Sequence, residues 1–277
     1  MTPIAIMTDF GITDSYVGEM KGIISGIAPH AALIDITHAI PCGDIQAAAF
    51  TLWRSFDAFP SDTIFLVVVD PGVGTSRRPV AVRIKDRTVV CPDNGILTYM
   101  LFACEEEAAV ELTNPAFRAA SPSRTFHGRD IFSPAAAHLA AGISLHELGP
   151  GIDSLLRLQP PRLKVQPGRC DGEILQVDHY GNLTTSIGIL KRLEGGLQLK
   201  PWIKPDDVKM LEGQSFRVIL PDQRILPLHD TFADAAEGEA VAYIGSAGLL
   251  EIAVHMESAA RAFELGAGAN IILERKE

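Results

Sequence analysis

Residues Ile64 to Val69 read Ile-Phe-Leu-Val-Val-Val, an unbroken apolar run that stops at Asp70-Pro71-Gly72-Val73-Gly74. A strand with one wet face alternates apolar and polar residues. A continuous β-branched run is covered on both faces, as in the middle of a parallel sheet. Parallel strands need crossover connections between them, and the flanking sequence supplies these. Ile4–Met7 reads as a strand ending at Thr8-Asp9-Phe10-Gly11. From about Ser15 to Ile27, Val17, Met20, Ile23, Ile24 and Ile27 recur at spacings of three and four, which predicts a helix with Asp14 at its start, suited to an N-cap or to the positive helix end, and Pro29 beyond its end. Leu33–Ile36 is a second strand, and Asp44 caps a helix running through Trp53 and Phe56. Val80–Ile84 and Thr88–Cys91 are shorter strands, the latter ending at Pro92-Asp93-Asn94-Gly95, and Ile131–Ala141 is a helix of small residues. This alternation predicts a three-layer α/β domain with a mostly parallel sheet over residues 1–152.

The pattern then breaks. Residues 150–168 hold four prolines and keep no steady period, and residues 153–169 are read as a linker. Beyond it come short strands at Gly172–His179, Leu183–Ile187, Phe216–Leu220, Ile225–Leu228, Ala240–Ile244, Leu249–Val254 and Asn270–Leu273. Turns fall at His179-Tyr180-Gly181-Asn182, Pro221-Asp222-Gln223-Arg224 and Gly245-Ser246-Ala247-Gly248. Residues 170–277 are therefore expected to form a smaller β-barrel-like domain.

Charge narrows the partners. A net charge of −10 over 277 residues disfavours a nucleic-acid binder, which concentrates Lys and Arg, and a surface for anionic membranes. No apolar stretch reaches the ~18 residues of a membrane span, and Met1–Phe10 lacks the basic flank of a secretory leader. Cys42, Cys91, Cys104 and Cys170 are scattered with no CxxC, as expected of reduced thiols in a cytoplasmic protein.

Ligands of open parallel sheets bind at the carboxyl ends of the strands. Those ends are acidic and glycine-rich here: Asp9 with Gly11, Asp70 with Gly72 and Gly74, Asp93 with Gly95. Carboxylates suit the hydroxyls of a ribose diol or a cation and would repel a phosphate. Each Asp alone also fits a plain turn or capping role. There is no GxxxxGK[ST], and Gly72-Val73-Gly74 begins a dinucleotide fingerprint that fails at Arg77. There is no HExxH or GxSxG, and adjacent Asp178-His179 and His229-Asp230 point to opposite faces of a strand, so no metal and no cofactor are expected. His138, inside the Ala-rich helix, reads as a packed residue. His127, in Arg124-Thr125-Phe126-His127-Gly128-Arg129-Asp130 just before that helix, can hold or deprotonate a water near neutral pH.

With these blocks in view, the chain resembles the S-adenosyl-L-methionine hydrolases, or SAM hydroxide adenosyltransferases, relatives of fluorinase and chlorinase. The marks are TDFG at Thr8–Gly11, DSYVGEMKG at Asp14–Gly22, VVDPGVGTSRR at Val68–Arg78, PDNG at Pro92–Gly95, TFHGRDIFSPAAAHLAAG at Thr125–Gly142, VDHYGNLTTSI at Val177–Ile187 and GSAGLLEIA at Gly245–Ala253. The resemblance implies hydrolysis of S-adenosyl-L-methionine to adenosine and methionine. It also implies a homotrimer whose active sites each lie between one subunit's N-terminal domain and its neighbour's C-terminal domain. It maps a water-activating trio onto Asp70, Arg77 and His127, with the neighbouring Arg78 an open alternative to Arg77. It maps the ribose carboxylate onto Asp9, beside Phe10 in the substrate site. Methionine contacts fall on Asp178 and Ser246, an adenine contact on Asn182, and a ring near the adenine on Tyr180.

Three departures from the halogenases stand out. They carry an uncharged residue in place of Asp70, a Ser or comparable residue in place of Gly128, and a longer loop near Arg83–Thr88. An anionic Asp70 repels a halide and accepts a hydrogen bond from water. Ala247 stands where fluorinase has an Arg after the Ser, which removes a donor for the methionine carboxylate. Three alternatives stay open: a halogenase of the same superfamily, a non-catalytic protein that binds S-adenosyl-L-methionine or adenosine, and a hydrolase acting on another nucleoside.

Overall fold

The computed structural model describes residues 2–202, 205–231 and 235–276. Two compact units divide the chain, Met1–Leu158 and Gln159–Glu277.

The first unit runs β1 (Pro3–Thr8), α1 (Tyr16–Ile27), β2 (Ala32–Thr37), α2 (Ile45–Phe56), β3 (Ile64–Val68), β4 (Pro79–Ile84), β5 (Arg87–Pro92), α3 (Thr98–Ala103), β6 (Glu106–Glu111) and α4 (Ser133–Ala140). Its six-stranded sheet has the order β2-β1-β3-β5-β4-β6. β1 pairs in parallel with β2 and β3, and β3 with β5. β4 alone runs the other way, antiparallel to β5 and β6. The apolar run that predicts a central strand is central, and every residue of β3 is buried. Its side chains divide by parity, as a pleated strand requires. Ile64, Leu66 and Val68 pack with Met20 and Ile24 of α1 and Ala135, Ala136 and Ala137 of α4. Phe65, Val67 and Val69 pack with Ala48, Leu52 and Phe56 of α2 and Met100 and Leu101 of α3. Two apolar layers, one on each face of one sheet, make this an α/β/α sandwich.

Details depart from the sequence reading. Ser15, not Asp14, occupies the N-cap of α1, and its hydroxyl donates to Glu19 Oε1 (2.8 Å) instead of capping the backbone. Ile23 of the predicted apolar face stands exposed. Asp44 does cap α2, accepting from the Ala47 N–H (2.9 Å). The helix predicted from Ile131 begins earlier, as a π-helical turn Gly128–Phe132 continued by α4. Residues 153–158 are tied to the first unit: Leu156 N–H donates to Asp93 Oδ1 (2.8 Å) and Leu158 N–H to Thr98 Oγ1 (2.8 Å).

The second unit contains β7 (Leu163–Gln166), β8 (Arg169–Val177), β9 (Leu183–Thr185), β10 (Leu190–Leu193), β11 (Gly196–Leu199), β12 (Lys209–Glu212), β13 (Phe216–Ile219), β14 (Ile225–Pro227), β15 (Ala240–Ile244), β16 (Leu250–Val254), α5 (Ala259–Phe263) and β17 (Asn270–Arg275). The order β14-β13-β17-β8-β9-β16-β15 is curled so that its ends meet. Leu228, just past β14, bridges Ala242 of β15, and the His229 N–H donates to the Ala242 carbonyl (2.8 Å). A sheet that nearly closes on itself leaves little unpaired edge, which is the advantage of a barrel. β7 pairs with β8, and β10-β11-β12 form a separate three-stranded sheet.

Candidate active site

β1, β3 and β5 are neighbours, so the loops that follow them share one edge of the sheet. Asp9, Asp70 and Asp93 stand in those loops, and their partners separate their roles. Asp93 is structural. Its carboxylate takes Arg78 Nε (3.0 Å) and Nη2 (2.5 Å) and the Leu156 N–H. The same Arg78 donates to the Ser154 carbonyl (2.7 Å). Arg77 turns instead to Asp70: Nε donates to Oδ1 (2.9 Å) and Oδ2 (3.0 Å), and Nη2 donates to Oδ2. Arg77 Nη2 also reaches His127 Nδ1 at 2.6 Å. Of the two neighbouring arginines, Arg77 is the one that contacts both Asp70 and His127. Asp70, Arg77 and His127 meet in one hydrogen-bonded set.

The side chains of Asp70 and Arg77 are only 5% and 8% exposed. At that burial an ion pair stands only if each partner is well matched, and a two-point carboxylate–guanidinium pair is such a match. The Phe132 ring lies beneath the guanidinium, 5.2 Å from its carbon. Arginine has no hydrogen-bond acceptor, so Nδ1 of His127 must accept. The neutral imidazole therefore carries its proton on Nε2. Burial first, then the Arg77 charge, depress the His127 pKa below its usual value, against smaller opposing effects of Asp70, Asp130 and the Ser123 carbonyl. His127 is thus a neutral acceptor at neutral pH.

A glycine brings these distant segments together. Gly74 has φ +79°, and a Cβ there would lie 2.6 Å from the Arg124 carbonyl oxygen. The Asp70–Gly74 loop can lie against the loop carrying His127 only without that atom. Gly74→Ala is expected to cost about 1–3 kcal/mol in backbone strain and to lower turnover by separating Arg77 from His127. Thermal melts and steady-state rates check this, and an unchanged melting temperature and rate would count against it. Gly128 is also tightly placed, with a Cβ meeting the Phe126 ring at 3.2 Å and Met20 Sδ at 3.3 Å.

Asp9 accepts from the Gly43 N–H through Oδ2 (2.8 Å). Phe10, Tyr16 and Phe126 form an aromatic triad, with centroids 5.7, 6.0 and 5.2 Å apart, that joins the β1 loop to the His127 loop. In the second unit, Asp178 is the hub of the turn between β8 and β9. Its carboxylate accepts from the Tyr180 N–H (2.9 Å), the Asn182 N–H (2.8 Å) and the Asn182 side-chain amide (3.0 Å). This turn replaces the strand that the sequence reading gave Asp178 and His179. Tyr180, Asn182, Met256 and Arg261 line an open cleft of about 990 Å³. Exposed Ser246 lies in the turn between β15 and β16, at the other end of these strands. Asp178 thus sits with Tyr180 and Asn182 rather than with Ser246. Among the described residues no group of three or more His, Cys, Asp or Glu could hold a metal ion, and no helix is long and apolar enough to cross a membrane.

Sequence reasoning gave no role to Glu19, Ser123, Arg129 or Asp130, which form a polar chain behind His127. The signal that could have found them is Arg-Asp directly after His-Gly, two charges at the start of an otherwise apolar helix.

An α/β sandwich with a hydrogen-bonded Asp–Arg–His set at its parallel strand ends, followed by an antiparallel barrel, defines a two-unit class of protein. The chain belongs to the SAM hydroxide adenosyltransferase family: residues 4–149 match its N-terminal domain and residues 172–272 its C-terminal domain. It is 37% identical to the (R)-S-adenosyl-L-methionine hydrolase of Thermus thermophilus, over 99% of this chain and all of the relative. A fluorinase from an Actinoplanes species is more distant, 30% identical over 98% of this chain and 97% of its own. The crystal structure of an uncharacterised conserved protein from Thermotoga maritima superposes with a TM-score of 0.86 at 34% identity, covering 98% of this chain and all of that one.

Proposed function

We propose that the protein hydrolyses S-adenosyl-L-methionine to adenosine and L-methionine. The observation that carries the reading is the buried Asp70–Arg77–His127 set at the carboxyl end of β3, in a chain similar over its full length to a protein named for that activity. The sulfonium is already a good leaving group, so no general acid, metal or resident cofactor is needed. The difficulty is the nucleophile, since bulk water has a pKa of about 15.7. A water resting on Asp70 and Arg77, in line with the C5′–S bond, attacks C5′ of the ribose. The C5′–O bond forms as the C5′–S pair leaves with methionine, and the water's proton passes to Asp70. His127 has its Nδ1 lone pair committed to Arg77, which supports Asp70 as the acceptor. Arg77 stabilises the developing hydroxide charge, and positioning supplies much of the acceleration.

Asp9, with its second carboxylate oxygen, suits the ribose hydroxyls, and Phe10 walls that side. Asn182 and Tyr180 suit the adenine, held by Asp178, with Ser246 at the methionine end. These residues lie on the second unit, and we extend the reading to a homotrimer in which a neighbouring chain completes each site. Full turnover by a species of monomer mass in light scattering would overturn that. Four free cysteines suit a reducing cytoplasm. A halide nucleophile is disfavoured by the carboxylate of Asp70.

The test is incubation with S-adenosyl-L-methionine in oxygen-18 water containing a metal chelator. Adenosine labelled at the 5′-hydroxyl, formed at an undiminished rate, is the expected result. Binding without turnover, unlabelled product, or a 5′-halo-5′-deoxyadenosine when halide is added would overturn the reading.

A further inference from the structure

Asp130 is 5% exposed, yet nothing in the proposed reaction calls on it. Isolated carboxylates are costly to bury, and this one is saturated with donors. Oδ1 accepts from Arg129 Nε (2.7 Å), and Oδ2 accepts from Arg129 Nη2 (3.1 Å) and the Ser123 N–H (2.7 Å). Burial alone would raise its pKa, but Arg129 and the Ser123 N–H more than offset it and hold the carboxyl below its usual range. Arg129 is itself anchored: Nη1 donates to Glu19 Oε2 (3.1 Å), and the guanidinium carbon lies 5.0 Å from the centre of the Phe126 ring. The Asp130 backbone grips the same segment, its carbonyl accepting from the Ala119 N–H (2.8 Å) and its N–H donating to the Phe126 carbonyl (3.2 Å).

All of these bonds converge on the segment from Ala119 to His127. The Asp130 side chain holds the N–H of Ser123, and its backbone N–H holds the carbonyl of Phe126, the residue before His127. A polar chain therefore runs from Glu19 through Arg129 and Asp130 to Ser123 in the loop that carries His127, whose Nδ1 meets Arg77 and through it Asp70. If Asp130 served the fold alone, an apolar residue at the start of a buried helix would serve as well. The chosen group instead fixes the loop that aims His127 at Arg77.

We propose that Asp130 is a positioning residue of this site: by fixing Ser123 and the loop that carries His127, it holds the Nδ1 lone pair directed at Arg77. The proposal rests on the functional reading above for its purpose, but not for its test. In protein labelled with nitrogen-15 histidine, long-range proton–nitrogen spectra report each imidazole tautomer without any substrate, and the His127→Asn variant identifies the His127 signals. At pH 7.5 the wild-type protein is expected to show a neutral Nε2–H ring at His127. Asp130→Asn is expected to give shifted, mixed-tautomer signals there, with kcat lowered roughly ten- to a hundredfold, the scale of a small misplacement, and KM within about twofold. An Nδ1–H ring in the wild type overturns the proposal. So does an Asp130→Asn variant that loses thermal stability while keeping the His127 signals and kcat. If Asp130→Asn does not fold, Arg129→Lys, a change at a half-exposed side chain, is read in the same way: shifted His127 signals support the proposal and unchanged ones overturn it. Failure to turn over S-adenosyl-L-methionine would sink the functional reading and leave the tautomer result standing.

Discussion

Asp70→Ala is expected to lower the rate of adenosine release by roughly a hundredfold or more, the range of a lost acid–base group, while substrate still binds. His127→Ala is expected to fall as far for a different reason, since Arg77 then loses the acceptor that fixes its Nη2. The two explanations part company at His127→Asn. An asparagine oxygen can stand near the position of Nδ1 and accept from Arg77, but it cannot take up a proton at neutral pH. If His127 positions Arg77, His127→Asn recovers a measurable share of the activity lost in His127→Ala. If His127 is the base, both variants are equally dead. The pH profile gives a second reading. Because burial and the Arg77 charge depress the His127 pKa, the neutral acceptor persists down through the ordinary histidine value of about 6.5. Turnover should therefore hold at neutral pH and fall on the acid side with a midpoint below 6.5. His127 contributes stability in the same sense: it is fully present above 6.5 and lost as pH falls through the depressed value. Chromatographic rates between pH 5 and 8 check this, and an acid limb centred above 6.5 would contradict it.

Much of this arrangement is legible in the sequence, for identifiable reasons. The run Ile64–Val69 had to be a doubly covered strand, and its abrupt end at Asp70 placed that carboxylate at the sheet edge. β6 was not legible because Glu106-Glu107-Ala108-Ala109-Val110-Glu111 is an edge strand with little alternation to read. β10, β11 and β12 are four residues each, too short for a period to emerge. The cap of α1 was misplaced by one residue because Asp14 and Ser15 are equally good caps by type. At the site, the motif blocks brought out Asp70, Arg77 and His127, with the spacing favouring Arg77 but leaving Arg78 open. The two residues stand side by side just before β4, and one guanidinium reaches Asp70 while the other reaches Asp93. The link from Glu19 to Arg129 spans 110 residues, and only the packing of α1 against the π-helical turn creates it.

Arg77→Met is expected to be the most damaging single change, destabilising the protein by about 3–5 kcal/mol, the scale for breaking a buried ion pair from one side. Asp70 is left in a site where its side chain is 5% exposed, with its guanidinium partner gone. The double variant Asp70→Ala/Arg77→Met removes both charges and should be more stable than Arg77→Met alone, a non-additivity that denaturant unfolding at fixed protein concentration would measure. Strictly additive losses would mean that the pair is uncoupled and that the short contacts carry no weight. Arg77→Lys then separates the needs of the fold from those of the site. A lysine ammonium can neutralise Asp70, so much of the stability should return. It is a point charge and cannot hold both carboxylate oxygens and His127 Nδ1 in one plane as the guanidinium does. Turnover should therefore stay low in a protein that is folded. Near-normal rates in Arg77→Lys would mean that the site needs only a positive charge, and the planar coupling of Asp70 to His127 would lose its place in the mechanism.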